Sequence, residues 1–309
     1  DRSRDAAGTR LDALKAWSEN RPPHGPPLRV VHVTQLPDGW LGKNYAYYQG
    51  YRLARGSYLL FTDADVRFHP DAVRDAVAYA LSENADHTAL LPQVAARPLL
   101  LKTLVNFALF SLCLIRPPWL ANRDGVRRGG VGAGAFNLIR REAYEAIGTH
   151  EALRLRPDED FRLGELVKRK GFRQRVVPGA GRIVAEWSAG LGDAVRSLGK
   201  TVYAGLGCRP SAAAAAVAVQ LALCVLPFTA PFWARGAALA FWLAAALLFA
   251  GAYAETVRRI NGERGEDAVC LPAAAPLLAW ALARAAWPAL RRGRQGFSGE
   301  GARSGSEAK

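Results

Sequence analysis

Leu59-Leu60-Phe61-Thr62-Asp63-Ala64-Asp65-Val66 is the stretch on which the reading of this chain turns. An apolar run of strand length ends in two carboxylates one residue apart, then resumes with Val66. In open α/β sheets, ligands bind beyond the carboxyl ends of the strands, so such carboxylates would emerge at a binding edge. In extended chain, side chains at i and i+2 point the same way, so Asp63 and Asp65 are expected to share one divalent cation. Hard oxygen ligands suit Mg²⁺ or Mn²⁺ carrying a diphosphate. The plainer alternative is an Asp-rich turn leading into the helix after His69-Pro70-Asp71.

Upstream lie Leu41-Gly42-Lys43-Asn44-Tyr45-Ala46, then Gly50, Ala54 and Gly56. The spacing predicts a helix over 43–55 that lays its small residues Ala46, Gly50 and Ala54 against a neighbouring strand. Gly56 is the expected C-cap. Lys43 would place a cation at a helix N-terminus, where phosphate is already favoured.

Helix, glycine, apolar strand and Asp-Ala-Asp in this order resemble the signature of the family 2 glycosyltransferases, which have the GT-A fold. Residues 42–65 carry that likeness, and two later segments extend it. Gly132-Ala133-Gly134-Ala135-Phe136-Asn137 is similar to the family's acceptor-side segment, and Pro157-Asp158-Glu159-Asp160 to its paired-carboxylate motif. The resemblance covers about residues 1–210 and is nearest in kind to membrane-attached members linked to hopanoid and carotenoid glycosylation.

That resemblance implies an α/β GT-A domain, Rossmann-like with a mostly parallel sheet and helices on both faces, over 1–207. It implies a nucleotide-diphosphate-sugar donor, expected to be a UDP-sugar, with Mg²⁺ or Mn²⁺ on Asp65 and Asp63. Lys43, Asp63 and Asp1 would bind the nucleotide diphosphate. Asp160 would be the catalytic base that takes the acceptor's proton, with Glu159 beside it and Asp158 as a competitor. Gly134, Ala135 and Trp187 would lie on the acceptor side. The start, Asp1-Arg2-Ser3-Arg4-Asp5, is similar to the family's nucleotide motif entered in its middle. An N-terminally truncated domain lacking its first strand is therefore expected.

Composition narrows the partners. The chain has 309 residues and a formal charge of +14, from 41 Lys and Arg against 27 Asp and Glu. Arg258, Arg259, Arg264, Arg291, Arg292 and Arg294 flank apolar runs, which favours anionic headgroups over nucleic acid. The four cysteines lie far apart with no C-x-x-C spacing, which excludes a zinc finger or a disulfide framework.

From about residue 208 the sequence changes character. Runs at 211–232, 236–254 and 270–290 are each about 20 residues long, enough to cross a bilayer. Arg284 and Pro288 interrupt the third, so two or three spans are expected over 208–294, followed by a disordered tail at 295–309. The expected location is the cell membrane, multi-pass, with the catalytic domain on the cytoplasmic face. Three spans would put Arg291, Arg292 and Arg294 outside, against the positive-inside tendency. Leu99–Ile115 reads as an amphipathic helix on the membrane surface or as a core helix.

The function expected from all this is an inverting, membrane-bound glycosyltransferase of the hexosyltransferase class acting on a lipid or polyprenyl acceptor. Two alternatives stand beside it: an inactive scaffold of the same family, and another Mg²⁺-dependent nucleotidyl or phosphoryl transferase.

Overall fold

A computed structural model describes residues 7–19, 28–96, 98–179, 181–186, 190–206 and 208–300. Asp1 and Trp187 lie outside the described residues, as do 301–309. After helix α1 (Ala7–Glu19), the apolar-containing stretch 28–35 is neither helix nor strand. A strand needs a neighbour for its backbone groups, and no described segment pairs with this one.

The α/β reading holds, with two mixed sheets in place of the mostly parallel one expected. Four strands run in the order β1 (Tyr58–Phe61), β5 (Asn137–Arg140), β3 (His87–Leu91), β6 (Gln174–Pro178). β5 is antiparallel to both β1 and β3, while β3 and β6 are parallel. A three-stranded sheet joins β2 (Val66–Phe68), β7 (Ile183–Glu186) and β4 (Gln93–Ala95).

Side chains alternate across the first sheet with period two, and each face is covered by helices. Leu59, Phe61 and Ile139 pack with Tyr47 and Tyr51 of α2 (Gly42–Leu53), Tyr144 of α6 (Arg141–Ala146) and Leu163 of α7 (Glu159–Arg169). On the opposite face, Leu60, Leu138 and Phe136 meet Ala72, Ala76 and Ala80 of α3 (Ala72–Ser82).

Two local expectations for α2 are corrected. The packed positions are Tyr47, Tyr51 and Ala54, whereas a Cβ on Gly50 would meet nothing within 4 Å. Of the small-residue stripe only Ala54 packs there, and large aromatic side chains fill the rest of the groove. The helix also closes at Ala54, whose N–H reaches Gly50 O and Tyr51 O, rather than at Gly56.

The C-terminal third is helical. α9 (Pro210–Gln220) continues through one π turn into α10 (Leu226–Thr229), followed by α11 (Gly236–Asn261) and α12 (Leu271–Glu300). Helical segments Pro210–Phe232, Gly236–Asn261 and Glu266–Ala289 are each long and apolar enough to cross a membrane. α12 runs on to Glu300, so the tail boundary at 295 falls inside a helix. Their outward surface is apolar: Phe232 is 88% exposed and Leu248 75%.

α4 (Leu99–Ile115) is a packed helix. Leu101, Leu104, Phe107 and Phe110 are buried against α8 (Leu191–Gly205), α11 and α12. Asn106 donates from Nδ2 to Asp267 Oδ2 at 3.1 Å and accepts at Oδ1 from Asn261 Nδ2 at 2.7 Å. Lys102 pairs with Glu263 at 2.7 Å. These contacts fasten the α/β domain to the apolar helices through one side of α4.

Candidate active site

The site forms where β1 ends, α2 begins and α7 begins. Asn44, itself buried, brings the two helix starts together. Its Nδ2 donates to Leu153 O at 2.6 Å and to Arg156 O at 2.9 Å, in the segment leading into α7. Leu41 N donates to Arg154 O at 2.8 Å. Lys43, the neighbour of Asn44, thereby lies over both carboxylate-bearing segments. Its Nζ is 2.7 Å from Asp63 Oδ1 and 2.9 Å from Glu159 Oε1.

Tyr47, one turn on, completes the grip. Its hydroxyl donates to Asp63 Oδ1 at 3.3 Å, and the Lys43 ammonium lies 5.6 Å from its ring centroid. Burial opposes charge on Lys43, but Glu159, Tyr47 and Asp63 outweigh it and push the ammonium's pKa up. Beneath lies an aromatic group: Tyr47, Phe61 and Tyr144 surround His150, whose Nδ1 is 2.7 Å from Tyr144 Oη. Burial, with Lys43 adding repulsion, holds His150 down at about 4.

Asp160 faces Asp63 across Gly134. A Cβ on Gly134 would stand 2.4 Å from Asp63 Oδ2 and 2.9 Å from Asp160 Oδ2. Asp63 N donates to Gly134 O at 2.9 Å, while Asp160 Oδ1 accepts from Phe161 N at 2.7 Å. Thr62 Oγ1 donates to Ala135 O at 2.8 Å, which fixes the neighbouring turn to β1. Burial raises the pKa of Asp160 against the pull of Lys43. Glu159 is raised by burial and then by Asp160.

The two carboxylates of Asp-Ala-Asp do not behave as an extended pair. The chain turns at Ala64–Asp65, leaving Asp63 half-buried against Lys43 and Asp65 exposed. Among the described residues, no group of three or more His, Cys, Asp or Glu side chains is arranged to hold a metal ion. Asp158, the competing base, is buried and clamped by Arg156 at 2.8 Å and Arg162 at 3.1 Å. Its position is that of a structural clip at the N-cap of α7.

Sequence reasoning did not single out Asn44, Tyr47 or the scaffold that sets Gly134. Segment 130–134 lies directly on α7: a Cβ on Gly132 would stand 1.9 Å from Asp160 O, and one on Gly130 2.2 Å from Gly164 O. A buried polar chain holds it there. Gln174 Nε2 donates to His87 Nδ1 at 2.8 Å and to Gly164 O at 3.0 Å. Gln174 Oε1 accepts from Val131 N at 3.0 Å. With Nδ1 accepting, the neutral ring carries its proton on Nε2 and donates to Asn137 Oδ1 at 3.1 Å. That oxygen also accepts from Ala133 N at 3.1 Å. Burial holds His87 down at about 4, in keeping with the neutral ring. The spacing of Tyr47 one helical turn beyond Lys43 was a usable signal; the His87–Asn137–Gln174 chain had none.

Three carboxylates around one ammonium, with a fourth exposed nearby, make a centre of excess negative charge. Such a centre can take a proton at Asp160 and can bind a cation with a polyanion.

No curated protein matches this chain. Among solved structures it is similar to "Crystal structure of S. aureus TarS 1-349 in complex with UDP-GlcNAc", at 15% identity. That match covers 95% of this chain and 81% of the other with a TM-score of 0.36, too loose to bear on fold or ligand. Residues 11–148, which carry Lys43, Asp63, Asp65, Gly134 and Ala135, match the family model described as Glycosyl transferase family 2.

Proposed function

We propose that the protein is a membrane-bound, inverting glycosyltransferase that moves a hexose from a nucleotide-diphosphate-sugar, of the UDP-sugar class, to a lipid-like acceptor hydroxyl. The observation that carries this reading is the facing of Asp63 and Asp160 across Gly134, with Lys43 bridging Asp63 to Glu159.

In this reading Asp160 accepts the acceptor's proton as the hydroxyl attacks the anomeric carbon. A carboxylate raised by burial is a stronger base for that transfer. The departing diphosphate gains negative charge, and Lys43 lies where it could neutralise part of it. Lys43 meets Asp63 and Glu159 with two of its three ammonium protons, which leaves the third for a phosphate oxygen. Glu159 holds the ammonium meanwhile and keeps it oriented.

Asp63 and Asp65 carry the hard oxygens that suit Mg²⁺ or Mn²⁺, and the turn at Ala64–Asp65 would have to bring them together to hold one ion. Bound there, the ion would supply charge stabilisation to the diphosphate. The apolar helices support a bilayer-borne acceptor, and α4 fastens them to the catalytic domain.

The test is Mn²⁺-dependent transfer from a panel of UDP-sugars to extractable lipid by detergent-solubilised membranes, comparing wild type with Asp160→Asn and Asp65→Ala. Transfer with inverted anomeric configuration, lost in both variants, is the expected result. Donor hydrolysis that ignores Asp160→Asn would instead fit a nucleotidyl or phosphoryl transferase. No turnover and no UDP binding would leave a scaffold.

A further inference from the structure

A polar cavity lies at the far end of α7. It has a volume of about 290 Å³ and is lined by Arg127, Lys168 and Arg173 with Asp124, Gly125 and Phe172. Three cations thus face one carboxylate. That carboxylate is already committed: Arg175 holds Asp124 at 2.9 Å and Arg173 at 3.2 Å. Arg175 also pairs with Glu83 at 2.8 Å.

Lys168 is the unusual member. It is 1% exposed, and its Nζ donates to Arg123 O at 2.8 Å. An ammonium has three protons to donate, so one backbone carbonyl does not satisfy it. Burial pushes its pKa down, a penalty that a bound anion would relieve. The Arg127 guanidinium lies across the end of the same helix, 3.7 Å from where a Cβ of Gly171 would stand.

We propose that this cavity binds a phosphate group, mono- or diphosphate, through Arg127, Lys168 and Arg173. The size admits a phosphate with part of the group it esterifies, and the lining leaves two positive charges uncompensated. Planar guanidinium forks suit phosphate oxygens, and the buried ammonium adds a point charge.

This site is separate from the carboxylate centre. Lys168 and Asp160 are eight residues apart on one helix, about 12 Å along its axis. Segment 130–134 runs between the two, with Gly130 against Lys168 Cβ and Gly134 between Asp63 and Asp160. The donor diphosphate beside Lys43 therefore cannot be the ligand held here.

The phosphate could be free or borne on a lipid headgroup, and two measurements on the full chain separate these sources. The first is calorimetric titration of inorganic pyrophosphate into protein in an uncharged detergent with EDTA. The second is native mass spectrometry of retained phosphatidic acid after delipidation. Both compare wild type with Arg127→Ala, with Lys168→Gln, and with the remote surface control Arg74→Ala.

Arg127→Ala should weaken one or both ligands at least tenfold, and Arg74→Ala should leave them unchanged. Because Arg127 is exposed, that variant folds even if Lys168→Gln does not. Pyrophosphate alone responding assigns a soluble phosphate, phosphatidic acid alone a headgroup, and both a site open to either. Absence of binding in wild type, or equal binding in Arg127→Ala, overturns the proposal.

Discussion

Lys43 Nζ stands 2.9 Å from Glu159 Oε1, and that carboxylate side chain is only 2% exposed. The contact joins the first turn of α2 to the first turn of α7. It also leaves Glu159 dependent on a single cation, since its other charged neighbour is Asp160. Removing Lys43 should strand a buried carboxylate. A fully buried ion stripped of its partner costs several kcal/mol, but Lys43 is 45% exposed, so screening reduces this to about 1–2 kcal/mol. Thermal unfolding of Lys43→Met, Glu159→Gln and the double variant should therefore be non-additive. The loss from Lys43→Met should largely vanish once Glu159 is neutral; equal losses in both backgrounds would refute the pairing.

Asp158 and Asp160 are two positions apart in sequence and should part company in kinetics. Asp158 is clipped by Arg156 and Arg162, while Asp160 faces Asp63 across Gly134. Loss of a general base costs about 10²–10⁴ in rate. Asp160→Asn should lower kcat on that scale with little change in stability. Asp158→Asn should lower melting temperature and leave kcat within about fivefold, a residue of position rather than chemistry. The reverse ranking in a transfer assay would move the base to Asp158.

Glycines that look alike in sequence should respond differently to alanine. A Cβ on Gly132 would collide with Asp160 O at 1.9 Å, so Gly132→Ala must part the segment from α7 and should prevent folding or cost several kcal/mol. Gly134→Ala presses on two carboxylates rather than on backbone, and should lose activity with a smaller loss of stability. Gly50 sits exposed in α2 with open space around it. Gly50→Ala should stabilise by about 0.5–1 kcal/mol through helix propensity and leave activity intact. Expression level and melting temperature across the three variants check the order.

Acid should weaken the fold through two histidines. His87 and His150 are buried and held at about 4, below the ordinary value of 6.5. The unfolded chain therefore binds protons in this window that the folded chain refuses. Stability is fully present above about pH 6.5 and falls as pH drops towards 4. Between pH 7.5 and 5 each ring should cost about 2 kcal/mol. His87→Gln should be less stable than wild type at pH 7.5, because it breaks the chain from Gln174 to Asn137. Its further loss between pH 7.5 and 5 should be smaller than that of wild type by about this amount. Parallel pH slopes for the two proteins would sink the account.

The motif residues were legible because chemistry restricts them. Lys43, Asp63, Glu159 and Asp160 stand out as charges at the edges of apolar elements, and the structure draws all four to one place. Where geometry was inferred from local sequence alone, it failed in particular ways. Asp63 and Asp65 were expected to project together, but a turn at Ala64–Asp65 separates them. Gly56 was expected to cap α2, yet the helix closes at Ala54, with Tyr47 and Tyr51 on its packed face. Leu99–Ile115 was ambiguous between bilayer surface and core, and packing against α8, α11 and α12 resolved it towards the core.

By itself the sequence determined most element types, two or three helices of membrane-crossing length, and the identity of the charged groups, because periodicity, length and residue chemistry are local properties. Only the tertiary structure decided which cation serves which carboxylate and which glycines must remain glycines. Those facts depend on contacts such as Asn44 with Leu153, 109 residues apart, and Gly132 against Asp160, for which no short-range pattern is required. Backbone approach of that closeness follows from how α7 lies against segment 130–134, and the buried His87–Asn137–Gln174 chain sets it.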